Sequence, residues 1–253
     1  MLSLLFWATA VAAEDFAGYE RLSRDQLLAR LAEQGTAPAL TGKNLSGQNL
    51  SGVDFRGANL SASVFNGAAL EGAKLDGCNL TVSFFEGAKL SKASLRKAML
   101  FSAQMAGAVL TGADFSGARL IGDLRRADLS NATLTHMNAA ADMRNQSMGL
   151  MRTNIVNAKA VNADLTDSDF SRADLSFTDF TGAKMIRTKL ERADFSGSTL
   201  KGADLTGADL RDAVLIDADF TGANLTNADL TGAEFRGTKG LDTARKTGAR
   251  GLP

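Results

Sequence analysis

A large apolar residue recurs at every fifth position over most of the chain. Counting by fives from Leu40 to Leu120 gives seventeen positions, all Leu, Phe or Met. Counting from Leu150 to Phe235 gives eighteen more, of which only Ala160 is small. Leu124, Leu129 and Leu134 carry the pattern between the two blocks, displaced by one residue. Two positions before the large residue stands Ala, as in Ala203, Ala208, Ala213, Ala218, Ala223 and Ala228, and between the two is usually Asp or Asn.

Five is the period of neither regular element. A strand places inward residues at even spacings. A helix drifts by roughly 140° over five residues. A short extended piece followed by a turn does return to the same inward direction. Four such pieces at right angles close a square coil of about twenty residues, and stacked coils pair through their backbones about 4.8 Å apart. The large residue fills the centre. The Ala two positions earlier also points inward and must be small, because overpacking a narrow coil costs about 1–3 kcal/mol. Ser, Thr and Gly after the large residue suit the corners.

The triplets Ala58-Asn59-Leu60, Ala113-Asp114-Phe115, Ala163-Asp164-Leu165 and Ala203-Asp204-Leu205 spell A-D/N-L-x-x. In this the chain resembles the pentapeptide-repeat family over residues 37–238. The resemblance implies an all-β, right-handed quadrilateral β-helix in which the residue between Ala and Leu points outward. Thirty-eight countable repeats then make nine to ten coils and a rod roughly 45 Å long. Leu60, Leu80, Leu205, Leu210, Phe220 and Leu225 are core positions on this reading, so Leu205→Asp is expected to destabilise the fold by several kcal/mol by burying a charge and Asp204→Ala to be nearly neutral.

The ends of the solenoid need covering. Residues 1–13 form an apolar run that ends in small residues at Val11 and Ala13, ahead of Glu14 and Asp15. The run is too short to span a bilayer and reads as a secretory signal cleaved after Ala13. The alternative is an uncleaved apolar strand or helix over the end of the domain. Within the N-terminal segment 14–36, Ser23 and Gln26 fit a capping box. Leu27, Leu28 and Leu31 share one helical face, and Gly35 and Pro38 stop the helix, which predicts a capping helix over 23–34. Residues 239–253 are basic, show no apolar period, and are expected to be a mostly flexible tail, with contact to anionic lipid or acid as the alternative.

The period fails between 121 and 149. The step from Leu120 to Leu124 is four, and residues 135–149 lose the register before Leu150 or Ile155 restores it. Breaks in a solenoid map to bulges or loops, often on the binding face. His136, Met137, Met143, Arg144 and Met148 lie here and are the candidate interaction stretch, as a loop or a distorted coil. Imidazole and thioether together would suit copper. Met as an adaptable filler of irregular packing is the plainer reading, and no metal spacing is present.

The remaining chemistry is sparse. The chain has one Cys, one His and 28 residues of each charge sign, with a formal net charge of zero. Cys78 occupies an Ala slot and reads as buried. Catalysis has no nucleophile–base pair, phosphate loop or metal spacing behind it, so no catalytic, cofactor or metal residue is assigned. Charge balance argues against a nucleic-acid partner. Outward Asp recurs at 164, 169, 174, 179, 194, 204, 209, 219 and 229. The family includes quinolone-resistance proteins thought to act on DNA gyrase by imitating DNA, which makes topoisomerase protection the alternative for a cytosolic protein. Lys89, Lys184 and Lys189 fill the same slot, which favours repeat grammar over mimicry. The reading is an exported, periplasmic or extracellular, non-catalytic scaffold for an unidentified protein partner, with no transmembrane span. The oligomeric state is not legible.

Overall fold

The fifth-residue pattern becomes a four-sided coil. In the computed structural model, which describes residues 16, 18–33, 40–141 and 151–253, the outward residue of each side bridges in parallel to the residue twenty positions on. Asn44 pairs with Val64, Asn49 with Ala69, Asp54 with Lys74 and Asn59 with Asn79, one pair per side. The side that starts at Asn44 continues through Phe84, Gln104, Asp123, Asn154, Asp174, Asp194 and Val214 to Glu234. At about 4.8 Å per rung this column is roughly 45 Å long.

Backbone groups explain why five residues suffice for a side. The N–H of Leu205 donates to the carbonyl of Asn224 on the next coil (2.8 Å), and the N–H of Asp204 to Ala183 on the previous one (2.9 Å). The N–H of Ala208 then closes the corner onto the carbonyl of Leu205 (3.0 Å). The second corner residue takes a left-handed conformation, as at Gly207 (φ 66°). The residue ahead of the corner points inward, and Leu60, Leu80, Leu205, Leu210, Phe220 and Leu225 are all fully buried. Large rings stack between coils: Phe65 and Phe85 lie 4.7 Å apart and within 3° of parallel. Where Ser or Thr replaces Ala in the small slot, its hydroxyl donates to a backbone carbonyl, on the preceding coil for Ser63 to Leu40 (2.6 Å) and Thr188 to Leu165 (2.9 Å), and three residues back in the same coil for Ser83 to Leu80 (2.5 Å). The buried hydroxyls therefore cost no orphaned donor.

At the N-terminal side, strand β1 (Glu20–Arg21) pairs in parallel with β2 (Lys43–Asn44). Helix α1 (Arg24–Ala32) begins at Ser23, whose hydroxyl accepts from the N–H of Gln26 while the Gln26 side chain accepts from the N–H of Ser23. Leu27 is fully buried in the same core as Leu40 and Leu45. The Gln48 amide donates to the Leu22 carbonyl, and the Arg24 guanidinium to that of Asn49. Ahead of β1, the Phe16 ring packs 5.0 Å from Phe84 on the outside of the coil. The proposed signal segment, residues 1–13, lies outside the described residues. Among the described residues no helix is long and apolar enough to cross a membrane.

Two expectations change. Residues 239–253 do not hang free; they form one further coil. Lys239, Arg245 and Arg250 stack on Asp219, Asn224 and Asp229, and the N–H groups of Phe220, Leu225 and Leu230 donate to their carbonyls. The apolar period is absent because Gly240, Lys246 and Gly251 occupy the centre slots. Leu241 and Leu252, from the corners, pack against the core instead. Gly240 is required there: its φ is 74° and a Cβ would come within 2.2 Å of the Thr221 nitrogen.

The second change concerns the break. The regular coil persists to Ala139, but with the two inward slots exchanged: Met137 fills the small slot, Ala139 the centre, and both are buried. The four rungs that enter this coil, from Gln104–Asp123 to Arg119–Asn138, are nineteen apart instead of twenty, because one corner residue is missing. Asp123 then bridges Asn154, thirty-one residues on, so this coil carries eleven residues more than a regular one. Register returns at Ile155, which is buried at the centre; Leu150 lies outside the described residues.

Candidate interaction surface

The missing corner residue reshapes one edge of the rod. Strands β3 (Met99–Gln104) and β4 (Arg119–Asp123) pair in parallel, with a register shift between Phe101 and Ala103. The turn that elsewhere bends the chain is replaced in β4 by extended backbone. Gly122 permits this, because a Cβ there would sit 2.3 Å from the Ala103 carbonyl oxygen. Beside the bulge lies an open concavity of about 280 Å³, lined by Ser102, Gln104, Ile121, Asp123, Met151 and Arg152 among others. Arg152 reaches Asp174 at 2.8 Å, and Arg125 grips Asp123 through two nitrogens, which fixes charge at its rim.

Apolar side chains crowd the same edge. Val82 is 45% and Met99 51% exposed, and Phe101, half-buried, pairs through its backbone with Ile121 on the next coil. The Val82 N–H donates to the Phe101 carbonyl (2.8 Å), which locks the two coils together here. Val82 has a φ of 58°, in a slot filled by Gly in many coils. A β-branched residue in the left-handed region is an outlier, and that conformation costs roughly 1–2 kcal/mol for a residue with a Cβ. Other side chains fill this slot throughout the rod, Lys92, Arg126 and Arg187 among them, but Val82 is its β-branched occupant; Phe177 puts a second large apolar side chain there, with a φ of 56° and 61% exposure. These residues escaped the sequence reading because it followed inward positions. The signal was present as Thr-Val-Ser after Leu80, where the second corner residue is a valine.

The candidate interaction stretch is divided by the backbone. His136 is a corner residue with a φ of 55°, its side chain 72% exposed and its Nε2 3.8 Å from an Asp167 oxygen. Arg187 holds that same carboxylate through two nitrogens, at 2.7 Å each. Met137 points the opposite way and is 1% exposed. The two do not converge on a metal, and Met137 offers no surface to a partner. Met143, Arg144 and Met148 lie outside the described residues. No cluster of three His, Cys, Asp or Glu able to hold a metal occurs among the described residues.

The acidic row is built into the corners. The Asp204 carboxylate accepts the N–H and hydroxyl of Thr206, and the Asn224 amide donates to it (3.0 Å). The same N–H and hydroxyl pair caps Asp169, Asp174, Asp179, Asp194, Asp219 and Asp229. This is the turn-forming habit of Asp, and the N–H···carboxylate bond is charge-assisted. Bases then interrupt the columns: Lys189 lies 3.6 Å from Asp169, Lys201 3.3 Å from Asp219, and Arg211 2.6 Å from Asp209. The Arg211 guanidinium holds the Asp209 carboxyl below the usual range; the Thr221 and Thr231 hydroxyls do the same for Asp219 and Asp229. The Cys78 thiol donates to the Phe55 carbonyl (3.0 Å), and burial pushes its pKa up to about 12.

A family model described as pentapeptide repeats matches residues 44–81, 85–117, 102–122, 150–185, 179–215 and 203–239, with eight copies. No protein of curated function matches the sequence. Among solved structures, trypsin-treated QnrB1, a plasmid-mediated fluoroquinolone resistance protein, is 21% identical with a TM-score of 0.53 over 84% of this chain and 91% of its own. HetL, a pentapeptide repeat protein involved in heterocyst differentiation regulation from the cyanobacterium Nostoc sp. strain PCC 7120, is 26% identical with a TM-score of 0.43. It covers 90% of this chain and 96% of its own. The twenty-residue coil, the buried Leu or Phe at each side and the matched segments agree: the chain belongs to the pentapeptide-repeat family, whose members adopt a right-handed β-helix.

Proposed function

We propose that the protein is an exported, non-catalytic scaffold that binds a protein partner along the edge formed by Val82, Met99 and Phe101 and the concavity beside it. The observation that carries this reading is the strained, exposed Val82. Gly would relieve its backbone and hide nothing, yet a valine stands there beside Met99, and backbone strain gathers at functional sites. Met and Phe are among the side chains enriched at interface cores, and the concavity opens on the far side of the Ser102 corner from them. Helix α1 serves as the N-terminal cap, since Leu27 is buried against the first coils. Cleavage after Ala13 would leave that cap and the Phe16–Phe84 contact intact.

A partner recovered with the wild-type protein should be lost from the Met99→Lys and Phe101→Ser variants and kept by Thr226→Lys on the far part of the rod. Retention by the first two overturns the assignment. Topoisomerase protection is the competing reading, and QnrB1 supports it through fold alone. The acid row here is capped by its own corners and interleaved with Lys and Arg, which weighs against imitation of a phosphate backbone. Protection of gyrase from a quinolone in a supercoiling assay would reverse that judgement.

A further inference from the structure

The last coil concentrates positive charge on one end of the rod. Arg236, Lys239, Arg245, Lys246 and Arg250 are all exposed, and only Glu234 and Asp242 oppose them within residues 234–253, a net charge of +3. The body behind it, residues 151–233, holds nine Lys or Arg against thirteen Asp or Glu, a net charge of −4. Among the described residues none of those five bases has a carboxylate oxygen within 4 Å, whereas Lys189, Lys201, Arg187 and Arg211 further back all do. The five are held in place by coil pairing and not by a loose tail: Lys239, Arg245 and Arg250 mark three of the four sides. Leu241 and Leu252 lie among them, only partly buried against the end of the core.

From this arrangement we infer that the C-terminal end of the solenoid docks end-on to an anionic lipid surface. A last coil with bases on three of its sides and two partly exposed leucines at its corners matches the headgroup layer of a bilayer, with charge for the phosphates and apolar surface for the boundary beneath. The acidic body is repelled by the same surface, so the rod stands upright and leaves the edge at Val82 and Met99 clear. A nucleic acid would also meet the bases, but the leucines have no use there. Each base close to an anionic membrane raises partition about fivefold, and three net charges raise it on the order of a hundredfold. The attraction extends about 10 Å at 0.1 M salt.

The test is sedimentation of the full chain with phosphatidylcholine vesicles, with and without 30% phosphatidylglycerol, across a salt series. The inference expects roughly a hundredfold preference for the anionic vesicles at low salt, declining steadily as salt rises. Arg245→Gln/Lys246→Gln/Arg250→Gln should remove most of that preference, and Arg236→Gln/Lys239→Gln, a second variant of the same end, should lower it more than tenfold. Lys89→Gln/Lys92→Gln/Lys97→Gln, on the middle of the rod, should keep it. Urea midpoints are compared so that unfolding is not mistaken for lost binding. Absence of any preference overturns the inference, as does equal loss in the mid-rod variant. Tighter, more salt-resistant binding to a duplex oligonucleotide than to the vesicles would transfer the surface to nucleic acid.

Discussion

Met137 and Ala139 exchange the roles that the repeat assigns to their slots, and the exchange can be measured. Met137 lies in the small-slot column between Ala118 and Ser168, and Ala139 in the centre column between Leu120 and Phe170. Both are buried, so the Met side chain occupies volume that Leu fills in neighbouring coils. Met137→Ala removes three heavy atoms beyond Cβ and leaves a cavity, a loss of about 2–5 kcal/mol. Ala139→Leu forces a second large side chain into a level already filled, costing about 1–3 kcal/mol. The double variant Met137→Ala/Ala139→Leu restores the ordinary pattern of the repeat and should lie within about 1.5 kcal/mol of the native protein. The cycle therefore predicts a favourable coupling of about 1.5 kcal/mol or more. Urea denaturation reads it, provided the slope m stays constant so that midpoints report stability. If the two single losses simply add, the slots are independent and the volume-exchange argument is wrong.

Other consequences follow from the same geometry. Val82→Gly should stabilise by about 1 kcal/mol through relief of the left-handed backbone while weakening partner capture; a loss of stability would show that Val82 is not strained. Cys78, with its thiol pushed up to about 12, should resist maleimide in the native protein and react only as urea unfolds it; rapid native labelling would refute its burial. Asp209, Asp219 and Asp229 have native carboxyl pKa values below the ordinary one. Their contribution is complete above the unfolded value of about 4 and is lost as pH falls through the native values. The urea midpoint should therefore hold from pH 8 to 5 and decline below about pH 4; a midpoint that rises on acidification would contradict the sign. Asp204→Ala, which periodicity alone reads as nearly neutral, should cost about 1 kcal/mol because Thr206 and Asn224 lose their acceptor.

Periodicity made the coil legible because centre and clearance positions are fixed by sterics. Leu205 and Ala203 cannot change places with solvent-facing residues without closing or emptying a narrow interior. The capping box at Ser23 and Gln26 was equally local. The pattern failed where volume is conserved by exchange: Met137 and Ala139 fill a level together, so neither slot looks ordinary alone. It failed again after Phe235, where Gly240, Lys246 and Gly251 replace the centre residues although the backbone pairs as before. The edge at Val82 and Phe101 was hidden for a different reason. It depends on β3 lying against a strand twenty residues on that lacks one corner residue, a relation visible only once the coils are stacked. The acidic row was the most conspicuous feature of the C-terminal half, and hydrogen bonding to its own corners accounts for it.

The central claim is that the partner meets the rod at this edge. A photo-reactive amino acid placed at Met99 in living cells tests it most directly, with the same probe at Thr226 as the control. The account predicts one discrete, reproducible adduct with a protein from Met99, abolished by Phe101→Ser, and none from Thr226. Adducts of equal yield from both positions, or from Thr226 alone, would contradict it.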